Sequence, residues 1–510
     1  MARTHLGLRG KPLHIAIATI AGLSFLLFGY DQGVIGSLLT LDTFIATFPA
    51  MDVSNSVSPS QRSHNSTIQG VAVSLYEIGC MLGAIVTMVI GDKLGRRKTI
   101  FCGSIIMIIG TAVQCTSFSL GQFIAGRIIT GLGNGFNTAT VPMWQSECAK
   151  AHSRGQLVML EGALITGGIA LSYWIDLAFY FVPGQADWRF PIAFQAVFAI
   201  IVTGAVLLLP ESPRWLLKKG HEDEAARVFS ALDDEPDDSS VISQEIDAIK
   251  STLATETSSS FRDIFTFTNK KHFHRTMLAF WNQVMQQITG INLITYYAGT
   301  IYQNSIRLSP LNAKIRLGRR KLMIGGAIGQ SVTMAILTAT AYLADKGNSK
   351  AGIAAAVFLF VFNTFFGIGW LGMTWLYPAE IVSLQVRAPA NGLSTAGNWI
   401  SNFMVVMITP IAFNNIGAYT YLIFAIINAA MVPTVFFFYP ETAGRSLEEI
   451  DEIFAQSNPW TPWDVVRIAD SMPKHHAFYE ETEDDIALDA GRSYRITDHG
   501  SDHSEKVDIP

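Results

Sequence analysis

Long apolar runs separated by short polar segments dominate the chain. Each run has about the 20 residues that an α-helix needs to cross the hydrocarbon core of a bilayer. Six runs precede the middle of the chain and five follow it, at roughly 14–40, 68–90, 99–118, 122–146, 157–182, 189–209, 276–302, 322–343, 352–377, 389–413 and 419–439. The pattern therefore predicts an all-α polytopic membrane protein with about 11 spans.

Polar segments divide these runs into two groups. The middle segment contains an acid-rich stretch at 233–238 and helical heptad-like patterns, so we expect short cytoplasmic amphipathic helices there. The predicted organisation is an N-terminal six-helix bundle at 1–209, this linker at 210–275, a C-terminal bundle with five helices at 276–439, and a cytoplasmic tail at 440–510. The end of the tail has little apolar content and is predicted to be largely disordered.

Composition and charge agree with a membrane protein. Hydrophobic residues make up 49% of the chain and charged residues 15%, against about 25% charged residues in soluble domains. The formal net charge is -5, and its acidic excess lies in polar segments, so nothing indicates nucleic acid. Cys80, Cys102, Cys115 and Cys148 lie in or beside apolar runs without metal-binding spacing. We expect no disulfide, metal site or cofactor.

The positions of lysine and arginine predict the orientation. Positive residues in short loops face the cytoplasm, and they cluster here at Lys93, Arg96, Arg97 and Lys98, and at Lys150 and Arg154. The alternate loops carry few positive charges, and the first of them, at 41–67, should lie outside, which makes the N-terminus cytoplasmic. This loop contains the sequon Asn65-Ser66-Thr67. Asn65 is a candidate glycosylation site, although sequons also occur by chance.

An internal repeat marks the predicted cytoplasmic side. The loop at 91–98, which contains Gly-Arg-Arg-Lys, is echoed at 317–321. Glu147 precedes Arg154 by seven residues, and Glu380 precedes Arg387 by seven. Pro-Glu-Ser-Pro-Arg at 210–214 is echoed by Pro-Glu-Thr-Ala-Gly-Arg at 440–445. Because the elements recur in the same order, the two halves are predicted to be parallel repeats of one bundle.

The repeat also predicts that the second half lacks a helix. Two runs precede the Gly-Arg-Arg loop in the first half, whereas one run precedes it in the second. The thirteen residues at 303–315 would reach ~20 Å as a helix, which is short of the ~30 Å core. As an extended chain they would leave unpaired backbone groups in lipid. Either the gene model or transcript is defective, which we favour, or the last four helices are inverted or irregularly packed.

The sequence contains no motif for direct use of ATP or for enzymatic chemistry. The single Gly-Lys pair, Gly10-Lys11, is followed by Pro12 and does not form a phosphate-binding loop. The sequence also contains no nucleophile elbow, zinc motif or dinucleotide-binding fingerprint in a convincing structural setting. We therefore expect a protein that is not an enzyme.

Ionisable residues inside apolar runs are candidates for function because their burial in lipid is costly. They are Asp31, Glu77, Arg127, Glu161 and Asp176. For Asp176, near an outer interface, contact with water is the simpler interpretation. An acid such as Asp31 that pairs with Arg127 when it is ionised could couple proton binding to conformation. A purely structural ion pair is the alternative.

The seventh helix carries a stripe of neutral polar residues. Gln286, Gln287, Asn292, Tyr296 and Tyr297 can share one side at helical spacing, and Trp375 and Asn398 could add an aromatic face and a further amide. Amides donate and accept hydrogen bonds, which suits a neutral, hydroxyl-rich substrate better than an ion. The alternative is that these groups only join helices to one another.

Six short motifs lie in the predicted helices and in the polar segments between them. They are Gly-Tyr-Asp-Gln-Gly-Val-Ile-Gly (29–36), Gly-Asp-Lys-Leu-Gly-Arg-Arg (91–97), Gly-Arg-Ile-Ile-Thr-Gly-Leu-Gly-Asn-Gly (126–135), Pro-Glu-Ser-Pro-Arg (210–214), Gln-Gln-Ile-Thr-Gly-Ile-Asn (286–292) and Pro-Glu-Thr-Ala-Gly-Arg-Ser-Leu-Glu-Glu (440–449). In combination they resemble the sugar porter branch of the major facilitator superfamily over about residues 20–452. The segments 141–147 and 172–176 resemble fungal members, which include sugar and glycerol proton symporters.

The resemblance implies a twelve-helix fold with alternating access to a central site. It implies a substrate held by Gln286, Gln287, Asn292, Tyr296, Trp375 and Asn398, and a proton-coupling pair of Asp31 and Arg127. It also implies a cytoplasmic gate of charged residues that holds the inner side closed, formed by Asp92, Arg96, Arg97, Glu147, Arg154, Glu211, Arg319, Arg320, Glu380, Arg387 and Glu441.

Three features depart from the family pattern. Gly162, beside Glu161, stands where many hexose members carry a glutamine, so a polyol substrate stays open. Leu371-Gly372 stands where the tenth helix often has Gly-Pro. The absent eighth helix usually contributes an asparagine to the site.

We therefore predict a monomeric, plasma-membrane transporter of a small, neutral, polyhydroxylated substrate. A hexose-like sugar carried by proton symport in the lipid bilayer is the leading interpretation. The alternatives are a polyol or glycerol proton symporter, a facilitated sugar uniporter, a non-transporting sugar sensor, and an inactive product of a defective transcript.

Overall fold

A computed structural model describes residues 7–54, 57–149, 154–236, 239–254, 264–266, 271–292, 318–383, 386–443, 445, 447–458 and 461–472. Within these ranges, the side chains at 154–159, 241, 245, 248, 251–254, 379, 388, 414 and 447–448 are not described. Helices account for most of the described residues, and these residues contain no β-strand. The predicted all-α fold is confirmed.

The first half contains α1 (Gly10–Leu38), the short α2 (Asp42–Thr47), α3 (Pro59–Leu94), α4 (Arg96–Cys115), α5 (Leu120–Cys148), α6 (Arg154–Tyr180) and α7 (Ala186–Val206). The middle segment contains α8 (Pro213–Lys218), α9 (Glu222–Asp233) and α10 (Ser240–Ala254). Arg9 fixes the start of α1 to this segment, since its Nη2 donates to Ser230 Oγ at 2.7 Å.

The second half contains α11 (His272–Ile288), α12 (Arg319–Asp345), α13 (Ser349–Phe366), a π-helical turn (Gly367–Leu371), α14 (Met373–Ile381), α15 (Arg387–Ile416) and α16 (Tyr419–Phe438). Two short helices follow, α17 (Leu447–Gln456) and α18 (Asp464–Ser471). Each of the apolar runs in the sequence overlaps a helix of the structure. The run at 352–377 is divided between α13 and α14 by the π-helical turn.

The outer surface of the bundle is apolar, as a bilayer requires. Among the described residues, nine helices are long and apolar enough to span a membrane. Their outward side chains include Val89, Ile353 and Ile426, which are 65%, 64% and 63% exposed. Hydrophobic side chains at such exposure are stable in lipid rather than in water. The chain is a multi-pass membrane protein.

Glycines allow the helices of the first half to pack closely around α5. A Cβ atom at Gly131 would collide with Tyr76 O of α3, and one at Gly135 would collide with Cys80 O. The same holds between α1 and α6, where Gly29 lies against Ile165 O. Small residues at helix interfaces bring the backbones together, which is the usual basis of helix association in membranes.

The two halves meet along α3 and α15. At the end that carries the predicted cytoplasmic loops, which we call the inner end, Gly392 of α15 packs against Met88. Towards the outer end, a Cβ atom at Gly70 would lie 3.3 Å from Met407 O and 3.6 Å from Pro410. This helix pair is therefore in contact over most of its length.

The contacts of α3 have no counterpart among the described residues of the second half. In the first half, α3 packs on α5 and also contacts α15 of the second half. By the repeat, its equivalent would pack between α14 and α6. In their most apolar stretches, 28% of α6 and 22% of the α13–α14 run are buried, against 50% of α3. The prediction that 303–315 cannot form a span lies outside the described residues.

Candidate functional site

A cluster of hydrogen-bonded amides joins α11 to α15. Gln287 Nε2 donates to Asn398 Oδ1 at 2.8 Å, and Asn292 Nδ2 donates to Asn402 Oδ1 at 2.6 Å. Asn292 Nδ2 also contacts Gln287 Oε1. These side chains are at most 4% exposed, so the sequence-predicted Gln287, Asn292 and Asn398 lie together in the protein interior.

Gln283 and Gln286 extend the cluster by one helical turn. Asn398 Nδ2 donates to Gln283 Oε1 at 2.7 Å and to Gln286 Oε1 at 2.9 Å. Gln283 Nε2 in turn donates to Thr374 O of α14 at 3.0 Å. Gln283 and Asn402 were not among the sequence-predicted residues. Their spacing was a usable signal, since Gln283 lies four residues before Gln287 and Asn402 four residues after Asn398.

The helix that carries these glutamines breaks beside the cluster. α11 ends at Ile288, and Gly290 adopts φ +92°, a left-handed conformation that favours glycine. The freed carbonyl of Thr289 accepts a hydrogen bond from Asn428 Nδ2 at 3.0 Å. Broken helices occur at membrane depth where protein covers them or where they line a cavity. Tyr296, the remaining predicted substrate residue of this segment, lies outside the described residues.

Aromatic rings cover the cluster on the side of the first half. The Trp375 ring lies 5.5 Å from Phe25 and 6.5 Å from Phe28, both in α1. The Trp399 ring lies 5.2 Å from Phe28. The predicted Trp375 thus contacts the opposite half of the molecule, and Phe25, Phe28 and Trp399 are further candidate site residues that the sequence pattern did not indicate.

Several buried polar atoms around the cluster have no hydrogen-bond partner among the described residues. They are Nε1 of Trp375, Nε1 of Trp399, Nδ2 of Asn402 and Oδ1 of Asn282. Buried donors and acceptors are normally paired. A ligand that both donates and accepts hydrogen bonds could satisfy these atoms, and hydroxyl groups do both.

Asp31 and Arg127 form an ion pair inside the first half. Arg127 Nη1 donates to Asp31 Oδ1 at 3.3 Å, and both side chains are fully buried. Arg127 Nη2 donates to Val73 O at 3.2 Å, and the guanidinium lies 4.5 Å from the centre of the Tyr76 ring. The pair links α1, α3 and α5. Removing either partner would leave an uncompensated buried charge.

Three other acids of the first half are also buried. Glu77 and Glu161 are 0% and 1% exposed, and Asp176 is 5% exposed. The structure therefore does not place Asp176 in contact with water, because the side chain turns towards the helices of the bundle. Glu161 has no hydrogen-bond partner among the described residues.

At the inner end of the first half, one arginine bridges two acids. Arg96 donates to both oxygens of Glu147 at 3.0 Å, and its backbone N–H donates to Glu211 Oε1 at 2.9 Å. The Arg97 N–H donates to Glu211 Oε2 at 3.2 Å. Burial raises the pKa of the Glu211 carboxyl, although these N–H donors favour its charged form.

The same arrangement is repeated in the second half. Arg319 Nη2 donates to Glu380 Oε1 at 2.8 Å. The Arg319 and Arg320 N–H groups donate to Glu441 at 2.8 and 3.1 Å. Tyr377 OH donates to Pro440 O at 3.0 Å, at the position where Trp144 Nε1 donates to Pro210 O at 3.1 Å in the first half. The sequence repeat thus corresponds to a repeat of atomic contacts.

One residue of the second half acts on the inner-end cluster of the first half. Arg387 of α15 is 6% exposed and acts electrostatically on the Glu147 carboxylate of the first half. Asp92 lies at the rim, with its carboxylate 3.7 Å from Arg96, 3.3 Å from Lys218 and 3.4 Å from Lys219. The side chain of Arg154 lies outside the described part of the chain.

Asn65 lies in α3 and is 3% exposed. Its Nδ2 atom, to which a glycan would be attached, donates to Asp52 O at 2.7 Å. This geometry does not favour a glycan in the folded protein, and glycosylation stays a prediction. The four cysteines are free thiols, and the described residues contain no group of three His, Cys, Asp or Glu side chains that could hold a metal.

Comparison with known proteins identifies a family whose members this chain resembles. The model of the sugar (and other) transporter family matches residues 16–311 and 314–454. The sugar transporter STL1 of Saccharomyces cerevisiae is 40% identical over 92% of this chain and 86% of its own length. The major facilitator superfamily transporter mfsA of Aspergillus fumigatus is 36% identical over 93% of this chain and 92% of its own length.

Solved structures show the same fold. The structure of the proton:xylose symporter XylE, from E. coli, bound to 6-bromo-6-deoxy-D-glucose superimposes with a TM-score of 0.71. It covers 87% of this chain and 99% of its own, with 22% sequence identity. At that identity, the likeness establishes the fold of two helical bundles.

Proposed function

The chain belongs to the sugar (and other) transporter family of the major facilitator superfamily, and we propose that it is a proton-coupled symporter of a small, neutral, polyhydroxylated molecule. Its relatives are named as transporters, and the chain is a transporter rather than an enzyme. A hexose-like sugar is the proposed substrate, with a polyol such as glycerol as the second candidate, and the plasma membrane is the proposed location.

The amide cluster is the observation that carries this proposal. It contains six uncharged amide side chains, of Gln283, Gln286, Gln287, Asn292, Asn398 and Asn402, buried where α11 breaks. Amides pair with the hydrogen-bond donors and acceptors of a hydroxylated molecule, and they carry no charge that would attract an ion. Trp375 and Trp399 supply apolar faces and N–H groups that have no hydrogen-bond partner in the described part of the chain. In the structure the amides bond to one another, and a substrate would exchange those bonds for its own.

Coupling to protons is proposed for Asp31. Its carboxylate is paired with Arg127 in a fully buried site, where one protonation event would remove the attraction and release the helices that the pair joins. Substrate binding between the halves and rocking of the two bundles would follow. A ligand shifts such an equilibrium by its difference in affinity for the two states.

The inner-end clusters are proposed to close the cytoplasmic side. The ion pairs of Arg96 with Glu147 and of Arg319 with Glu380, together with the attraction between Arg387 and Glu147 across the halves, would hold the inner helix ends together. Their separation would open a path to the cytoplasm. Ion pairs at helix ends are a common form of such a two-state latch.

A polyol is the second candidate because of Gly162. Gly162 has no side chain at the position where many hexose members of the family carry a glutamine amide. A Cβ atom there would already lie 3.3 Å from Leu371, so a longer side chain would press on Leu371, and the site has no amide at this position. Both features suit a smaller polyhydroxylated substrate.

Counterflow in proteoliposomes tests the proposal. Purified protein is reconstituted, loaded with unlabelled D-glucose, D-xylose or glycerol, and diluted into the same labelled compound. We expect transient accumulation of at least one compound and its loss in Gln287→Leu. A uniporter would show counterflow without proton coupling. A sensor or an inactive form would show no counterflow of any compound, and that result would overturn the proposal.

A further inference from the structure

Glu161 is a buried carboxyl group that the scheme above does not use. It lies in the membrane-spanning α6 and is 1% exposed. Neither of its carboxyl oxygens has a hydrogen-bond partner among the described residues. Burial of an unpaired polar group is costly in a protein interior and in lipid. A group retained at such a cost indicates a partner that binds and leaves.

The helical spacing of α6 shows which way Glu161 faces. Residues four and seven positions later, Ile165 and Gly168, lie on the same side of the helix. Ile165 O packs against Gly29 of α1, and Gly168 packs against Leu26 O of α1. Glu161 therefore faces α1, one turn nearer the inner end than these contacts.

The neighbouring residue brings the second half to the same place. A Cβ atom at Gly162 would lie 3.3 Å from Leu371 and 3.5 Å from Gly372. These two residues join the π-helical turn to α14, and one turn later Trp375 packs 5.5 Å from Phe25 of α1. The contacts of its neighbours thus place Glu161 beside α1 and near the start of α14, in the layer of the molecule that contains Trp375.

This layer contains an unused donor as well as unused acceptors. Trp375 Nε1 has no hydrogen-bond partner among the described residues, and neither do the two carboxyl oxygens of Glu161. We propose that Glu161 is a substrate-binding residue whose carboxyl accepts a hydrogen bond from one hydroxyl group of the polyhydroxylated substrate. It would bind from the first half, whereas the amide cluster binds from the second. The inference rests on the proposed function for its substrate class.

Contacts from both halves have a mechanistic consequence. A substrate held only by the amide cluster would move with the second bundle. A substrate that is also bound by Glu161 favours the state of the protein in which α6 and α14 are close together. Binding at this position is therefore linked to closure of the two halves around the substrate.

The test combines residue variants with substrate analogues. Counterflow KM values are measured for D-glucose, its monodeoxy analogues, glycerol and 1,2-propanediol, with wild type, Glu161→Leu and Glu161→Gln. We expect wild type to bind one analogue about 10-fold more weakly than its parent, and Glu161→Leu to lose that discrimination while it keeps the others. Glu161→Gln retains an acceptor and should lie between them. Asp176→Asn, a buried acid four turns further along the same face, should keep the wild-type ratios.

Each outcome has a distinct meaning. Loss of discrimination at one hydroxyl in Glu161→Leu supports the assignment, because damage to the fold alone would raise every KM by a similar factor. Equal factors for all analogues in Glu161→Leu and wild type would overturn it. If Glu161→Leu does not fold, wild-type ratios in Glu161→Gln would overturn it instead. Absence of counterflow by wild type would instead contradict the proposed function.

Discussion

At the scale of single residues, Asn398 holds the candidate site together. Its side chain bonds to Gln283, Gln286 and Gln287 at 2.7 to 2.9 Å. Any substitution that removes the amide leaves three buried groups with fewer partners. Unpaired buried groups cost about 1–3 kcal/mol each.

We therefore expect Asn398→Ala to lower the stability of the protein and to raise the counterflow KM by about 10-fold or more. Thermal unfolding of the purified protein and counterflow measure the two effects. Asn415→Ala is the matched control, since Asn415 is an exposed residue at the outer end of the same helix. Wild-type KM in Asn398→Ala would contradict a role in substrate binding.

Single residues also show what the sequence could and could not predict. The amides at Gln287, Asn292 and Asn398 stood out because polar groups are rare in apolar runs. Phe25, Phe28 and Trp399 did not, because aromatic residues occur both at lipid-facing positions and in the interior of a membrane protein. The contacts that place Trp375 against Phe25 join residues far apart in the chain, and spacing within one helix carries no information about them.

At the scale of helices, the proposed inner gate consists of two clusters with different burial. The side chains of Arg96 and Glu147 are 8% and 4% exposed, whereas those of Arg319 and Glu380 are 25% and 17% exposed. Breaking a buried pair costs about 3–5 kcal/mol, and a more exposed pair costs less. The first-half cluster should therefore dominate closure of the inner end.

Cys148 provides a native probe of this gate. It follows Glu147 and is 3% exposed. We expect Arg96→Gln to increase the rate at which a membrane-impermeant maleimide labels Cys148 from the inner side by about 10-fold, and Arg319→Gln to have a smaller effect. Labelling is measured in inside-out vesicles of variants that retain Cys148 as the sole cysteine. Equal labelling of Cys148 in all three proteins would contradict the assignment of the gate.

The helices also show how far the repeat in the sequence extends. It predicted that Arg96 and Arg319 occupy equivalent positions, and both donate to an acid at the end of the following long helix segment. It did not predict the break of α11 at Gly290, because Thr-Gly within an apolar run also occurs in continuous helices. The break depends on tertiary contacts such as the one from Asn428 to Thr289 O.

At the scale of the whole molecule, the second half lacks a described equivalent of α3. The family match is interrupted between 311 and 314, inside the segment where the sequence predicts a missing helix. The scant burial of α6 and the α13–α14 run is consistent with an absent neighbour.

We expect sequencing of the cDNA between the codons for Tyr302 and Lys321 to show about 30 additional codons for an apolar helix, roughly one span with its flanking turns. The protein expressed from that cDNA should transport, and it is the wild type of the transport assays described above. The 510-residue form should transport little. A message that joins these codons as written, together with full transport by the 510-residue protein, would contradict the missing helix.

The most direct test of the whole account is substrate accumulation driven by an imposed proton gradient. Proteoliposomes with an alkaline interior are given the compound that shows counterflow, with and without a protonophore. We expect wild type to accumulate it above the external concentration, and Asp31→Asn to equilibrate it without accumulation while counterflow persists. Proton-driven accumulation by Asp31→Asn at the wild-type level would contradict the central claim that this buried acid couples protons to transport.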